Sequence, residues 1–164
     1  QRGGAATVSM GVAQGAYEHA LSYAKERKQF GRPIAEFQGL QWMLADMRMK
    51  LDAARLMIWR AAASAETGGP EGKPTGFPDP LLAAEAKVLA SETAIDVTRD
   101  ALQVHGAMGY SRNLPLERMS RDARMFTIGG GTAQILRTLI AGRILGMKTP
   151  QTRDGYMHLG ERGD

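Results

Sequence analysis

From position 35 to position 66 apolar residues recur in steps of three and four: Phe37, Leu40, Leu44, Met47, Leu51, Ala54, Ile58 and Ala61. That spacing lays a single packing seam along one face of a long helix, with Arg48, Lys50, Asp52, Arg55 and Arg60 off the seam. The methionines at 43, 47, 49 and 57 read as gap-filling core or helix–helix contact. A helix over Gly3 to Lys28 precedes it, with Val8, Val12, Ala16 and Ala20 in line and many small residues that permit close helix approach; Gly31 and Pro33 end it. A third helix, Leu81 to Gln103, aligns Ala84, Val88, Ser91, Ile95, Thr98 and Leu102. A fourth, Ala133 to Met147, carries Ile135, Leu136, Leu139, Ile140 and Ile144 and stops before Pro150. No segment alternates long enough to make a strand. The pattern predicts an all-α fold, an up-and-down four-helix bundle of antiparallel helices without a sheet, over residues 1–148, with a flexible tail over 149–164.

Composition narrows this reading. With 164 residues and 43% apolar content the chain can fold as one domain with its own core. It has no cysteine, and its three histidines lack metal-ligand spacing, so no metal site is expected. No apolar run reaches the ~20 residues that a membrane helix needs. The net charge of +4 suits an anionic partner only weakly, because acidic residues interleave the basic ones. Aromatics at 6% are too few for a base-stacking surface, which argues against nucleic acid as the partner. Residues 67–80, TGGPEGKPTGFPDP, form an exposed loop. The chain begins at Gln1 rather than Met, and reads as a piece of a longer protein.

The stretch richest in candidate chemistry is Gln103 to Gln134, QVHGAMGYSRNLPLERMSRDARMFTIGGGTAQ. It holds two glycine-bearing turns, at Gly106–Gly109 and at Gly129–Gly131, each beside a helix end. Such turns expose backbone N–H groups that can hold an anion or a polarised carbonyl. They also end helices without any ligand, and Thr132 is a natural N-cap whatever else it does.

Three motifs together resemble the C-terminal helical domain of the acyl-CoA dehydrogenase family over about Gln1 to Met147. They are Arg27-Lys28-Gln29-Phe30-Gly31-Arg32-Pro33-Ile34 with Phe37-Gln38, Gln103-Val104-His105-Gly106-Ala107-Met108-Gly109-Tyr110 followed by Asn113, Arg118 and Asp122, and Ile128-Gly129-Gly130-Gly131-Thr132. Ala107 replaces the family's usual second glycine. The resemblance implies FAD as cofactor, an acyl-CoA substrate and α,β-dehydrogenation. It also implies a homo-oligomer (a dimer of dimers) or a hetero-oligomer with a family subunit, an electron-transfer flavoprotein as acceptor, and a cytoplasmic or mitochondrial-matrix location. The family's N-terminal helical and β-domains have no counterpart in these residues, so this domain alone is expected to be inactive.

Carried over by position, the resemblance gives Arg27 to the FAD diphosphate across a subunit interface, where a guanidinium fork suits phosphate oxygens. Gln29 and Ile34 join the cofactor-binding set, and Phe30 and Gln38 fall beside the adenosine, with core packing and helix surface as the plainer alternatives for the last two. Gln103 with the Gly106–Ala107 backbone makes the second diphosphate contact. Thr132 and Gln134 reach the FAD of the same subunit. His105 either touches cofactor or packs, and is not an acid or base.

The family reaction removes an α-proton with a carboxylate. Many members place that carboxylate where this chain has Gly130, which retains only its backbone N–H for the thioester oxygen, with Gly131 beside it in the substrate site. Other members place it just before an arginine on the first helix; Arg2 matches that arginine, and Gln1 then falls on the base position. Glutamine has the shape of glutamate without its basicity. Three functions follow: a dehydrogenase with its base altered or elsewhere, a non-catalytic subunit completing a partner's FAD site, and a nucleic-acid-binding relative.

Overall fold

A computed structural model describes residues 2–147; Gln1 and the tail over 149–164 lie outside the described residues. Six helices follow one another: α1 (Arg2–Glu26), α2 (Gln38–Thr67), α3 (Pro80–His105), the single turn α4 (Ala107–Tyr110), α5 (Leu116–Met125) and α6 (Ala133–Ile144). The central element is α3, which packs against α1, α2, α5 and α6. Its small buried residues Ala83, Ala84, Ala90, Ala94, Val97 and Ala101 let its neighbours close in on several sides.

The connectivity is up, down, up, down. The Gln14–Arg55 hydrogen bond at 2.8 Å pairs the middle of α1 with the latter part of α2, so the two run antiparallel. Lys50–Asp96 at 2.8 Å, and the Asp79 N–H donated to Ser64 Oγ, do the same for α2 and α3. The fourth position differs from the sequence expectation. It is α5 that returns along α3, carrying Leu116 and Ala123 into the core, while α6 lies further on and packs through Leu136 against Ala84 and Val88. The charged run Glu117–Arg124 conceals α5, because only a narrow inward stripe is apolar and the outer face holds a Glu117–Arg121 pair one turn apart.

The seam on α2 is inside as expected: Met47, Leu51, Ala54 and Ala61 are buried, and Phe37, Leu40, Leu44 and Ile58 pack on the core. The stripe on α1 departs from the expected line only at its start: Ala16 and Ala20 are buried and Val12 packs on the core. Val8 is exposed, and the buried face runs through Ala6, Ser9, Met10, Ala13, Ala16, Ala20 and Ala24. Close approach of α1 to α3 is carried by small side chains, and a valine there would hold the helices apart.

One small sheet exists where none was expected. Lys28–Gln29 (β1) pairs antiparallel with Arg32–Pro33 (β2). The turn between them has positive φ at both Phe30 (52°) and Gly31 (79°), the two-residue hairpin geometry that matches strand twist. So α1 ends in a hairpin rather than at a simple glycine stop. No helix among the described residues is long and apolar enough to cross a membrane.

Candidate functional site

Two clefts sit at opposite ends of α3. The first lies where α1 and α3 both terminate. His105 is buried there and stacks on Tyr23, ring centroids 4.3 Å apart, and its Nδ1 is 2.7 Å from the Ala101 carbonyl. Burial lowers its pKa below the usual histidine value; the Ala101 hydrogen bond opposes this weakly and nearby His19 adds to it. The ring is therefore neutral packing, with Nδ1–H as donor to the carbonyl. Gly106 caps α3 at φ 57°, and a side chain at buried Gly109 would collide with the Leu102 carbonyl. These demands fix the chain path of Gly106–Gly109.

Around this turn the structure brings together Arg27, Gln29, Ile34, Gln103, Gly106 and Ala107 in one open cleft of roughly 360 Å³. The α1 end supplies the first three and the α3 end the others. Arg27 is exposed and has no ion-pair partner among the described residues. Phe30 is not in the cleft. It stands at the hairpin tip, 93% exposed, with its ring edge toward Phe37 at 6.1 Å, so core packing within this chain is ruled out. A bulky residue with positive φ is strained by about 1 kcal/mol, and within this domain the only aromatic contact described for the exposed ring is that edge-on approach to Phe37. Gln38 opens α2, exposed and outside the cleft.

The second cleft, roughly 660 Å³, is lined by Arg2, Gly3 and Gly4 of α1, Phe77, Pro78 and Pro80 of the α2–α3 connection, Ala83 and Gly130. Gly130 and Gly131 have φ of 71° and 98°, values that glycine adopts readily. Among the described residues, neither of their N–H groups has a hydrogen-bond acceptor. The turn is closed by the Ala133 N–H donated to the Thr127 carbonyl at 2.9 Å. Thr132 caps α6, its Oγ1 accepting from the Ile135 N–H at 3.2 Å, and Gln134 is exposed on the first turn. No carboxylate lines this cleft among the described residues.

Two features escaped sequence reasoning. Phe77 and Pro78, in the connection read only as a loop, wall the second cleft. Lys87 is fully buried, and its ammonium donates to the Gly131 carbonyl at 2.7 Å. Burial pushes its pKa down. A cation at helical spacing within the apolar line of α3 was the available signal.

Both clefts are open, and they lie about 30 Å apart along α3 by helix rise from Ala83 to Gln103. This is an all-α domain with an open cleft at each end of its central helix. The chain belongs to the acyl-CoA dehydrogenase family: residues 1–145 match the family described as acyl-CoA dehydrogenase, C-terminal domain. It is 67% identical over 153 residues to a 3-sulfinopropanoyl-CoA desulfinase of Paraburkholderia xenovorans, covering 93% of this chain and 37% of that protein. It is 47% identical over 137 residues to a probable acyl-CoA dehydrogenase of Mycobacterium tuberculosis, covering 84% and 33%. The butyryl-CoA dehydrogenase of Megasphaera elsdenii superposes with a TM-score of 0.80 at 38% identity, covering 88% of this chain and 36% of that one. The chain thus spans little more than a third of the length of these relatives.

Proposed function

We propose that this domain belongs to an FAD-dependent acyl-CoA enzyme that releases sulfite from a 3-sulfinoacyl-CoA, rather than one that dehydrogenates a plain acyl-CoA. The observation that carries this is the second cleft, which is lined by Arg2 and by Gly130, whose N–H has no acceptor among the described residues, but by no carboxylate among those residues. At the other base position the sequence has Gln1. An α-proton cannot be removed quickly without a positioned base. Loss of sulfite has no such need. The bond between C3 and sulfur breaks with its electron pair remaining on C3, which takes a proton. Sulfur takes hydroxide from the same water, giving propanoyl-CoA and hydrogen sulfite. The balance is one water in, with no external oxidant or electron acceptor. The desulfinase names of several relatives that are 60% to 67% identical support the same substrate class.

In this reading Gly130 donates its N–H to the thioester oxygen, Arg2 places positive charge toward the sulfinate, and Phe77 with Pro78 limits the acyl chain. The first cleft fits a diphosphate: a guanidinium without an ion-pair partner among the described residues, and a glutamine amide beside a glycine turn at a helix end. Arg27, Gln103 and Gly106–Ala107 would hold the diphosphate of a neighbouring subunit's FAD, with Gln29 and Ile34 alongside and the exposed Phe30 and Gln38 toward its adenosine. Thr132 and Gln134 would touch the FAD of their own subunit. In this reading the two sets of residues, at opposite ends of α3, serve the cofactors of two subunits, which would need an oligomer. When bound, FAD supplies a redox-active ring next to the acyl chain.

The test is to mix the full-length FAD-loaded protein with 3-sulfinopropanoyl-CoA and follow sulfite and propanoyl-CoA. The expected result is their release in equal amounts, with no anaerobic bleaching of the flavin by butanoyl-CoA or other plain acyl-CoAs. Fast bleaching by a plain acyl-CoA, without sulfite release from the sulfino compound, would instead support dehydrogenation with a base outside both positions. Neither reaction, with FAD retained, would support the non-catalytic subunit.

A further inference from the structure

Three consecutive glycines are a poor way to aim a hydrogen-bond donor. Fixing the backbone of one residue costs on the order of 1–2 kcal/mol of conformational entropy, and glycine has more freedom to lose than any other residue. No side chain on Gly129, Gly130 or Gly131 can anchor the turn. Something else must hold it if the Gly130 N–H is to meet a thioester oxygen in a fixed direction. Backbone closure between Ala133 and Thr127 ties the two ends of the turn and leaves its tip free.

The tip is held from inside. Lys87 extends from the second turn of α3, fully buried, and its ammonium reaches the Gly131 carbonyl at 2.7 Å across 44 residues of sequence. Lysine is almost never fully buried unless paired with a carboxylate, and no carboxylate faces Lys87 among its hydrogen bonds and ion pairs in the described residues. The neighbouring inward positions of α3 are Ala83, Ala84, Val88 and Ser91, so the burial of a cation at this one site is a local exception. A hydrogen bond from a charged donor is roughly twice as strong as a neutral one, and in a buried site it restricts its acceptor tightly. Holding the Gly131 carbonyl fixes the peptide between Gly131 and Thr132, and so anchors the turn one residue beyond Gly130, which lines the cleft.

We propose that Lys87 is a positioning residue: its ammonium grips the Gly131 carbonyl and thereby fixes the Gly130 N–H toward the thioester oxygen of a bound acyl-CoA. This rests on the reading of Gly130 given above. It does not depend on which reaction follows, since any acyl-CoA held there presents the same oxygen. Lys87 does not line the cleft and does not touch substrate.

The test uses the full-length FAD-loaded protein and propanoyl-CoA labelled with ¹³C at the thioester carbonyl. In the wild type the bound carbonyl stretch is expected at lower frequency than in free propanoyl-CoA, because a well-aimed donor polarises it. Lys87→Met keeps the volume and removes the donor. It is expected to retain FAD and to lose most of that shift. Lys87→Gln, with a shorter neutral arm, should give an intermediate shift. Glu92→Gln, also on α3, breaks the surface pair with Arg137 of α6 and should leave the frequency unchanged. A Met variant with lowered thermal stability but wild-type frequency would overturn the proposal, since Lys87 would then be structural only. Should the Met variant not fold, Lys87→Gln decides, and an unchanged frequency there overturns it equally. An unshifted carbonyl in the wild type also overturns it. A shifted, Lys87-dependent carbonyl in a protein that releases no sulfite would support the positioning role and refute only the desulfination reading.

Discussion

His105 carries the clearest pH signature of any single residue. Its buried ring is stacked on Tyr23 and bonded to Ala101, and burial lowers its pKa below that of an unfolded histidine. A depressed histidine pKa means that the unfolded chain binds the proton more readily. The stabilising contribution is therefore complete above about pH 6.5, the unfolded value, and is lost as pH falls through the lowered native value. Between pH 7.5 and 5.5, thermal unfolding of the wild type should move to lower temperature more steeply than that of His105→Phe, which keeps the stack and cannot titrate. Parallel profiles for the two would show that another group governs acid stability. At the same scale, sequence found Thr132 as an N-cap because its chemistry is local: a hydroxyl just before an apolar period. Lys87 was missed because its meaning comes from the Gly131 carbonyl, 44 residues away. Nothing within one helical turn of a lysine announces such a partner.

Among the elements, α2 was the most legible, because eight seam positions repeat without a break and each step reinforces the last. The start of the α1 stripe and the hidden α5 show the opposite case. In α1 the buried residues are mostly alanine, which a hydrophobicity pattern weighs little, and in α5 only two buried side chains stand beneath a charged face. The hairpin at Phe30–Gly31 escaped because its turn lacks the Asn-Gly or Asp-Gly pair that usually marks one. The start of α3 yields a direct test. Asp79 accepts from the Leu81 and Leu82 N–H groups at 2.9 and 3.0 Å, while its own N–H is donated to Ser64. Asp79→Ala removes an N-cap worth about 1 kcal/mol. Amide exchange at the start of α3 in the full-length protein should then rise about fivefold, the equivalent of that energy at room temperature. Unchanged exchange would mean that Pro78 and Pro80 hold the helix start alone.

For the molecule as a whole, the open clefts and the exposed apolar line of Trp42, Met49, Leu56 and Trp59 on α2 indicate surfaces completed by other chains or domains. The bundle was legible because its core is internal to these residues. Any wall that another chain or domain would add to the clefts has no signal within these residues. If the first cleft holds a neighbouring subunit's diphosphate, Arg27→Ala in the assembled full-length protein should weaken FAD retention about 10- to 100-fold, the range for losing a charged hydrogen bond. Arg60→Ala, an exposed cation on α2, should change it little. Equal flavin loss on dilution of the two variants would remove Arg27 from the cofactor site.

The placement of both clefts on a single uninterrupted helix also restricts how the chain length can change. Each residue added to or removed from α3 between Lys87 and Gln103 would rotate one end against the other by about 100° and shift it by about 1.5 Å. One insertion would turn the Gly106 corner away from Arg27, or pull the lysine arm off its carbonyl, and no nearby loop could absorb the error. The stretch from Thr67 to Pro80 is under no such constraint at its exposed outer turns. Length variation in proteins built on this plan therefore has an outlet there and none inside α3, so the central helix acts as a ruler whose graduations are set by the helical repeat.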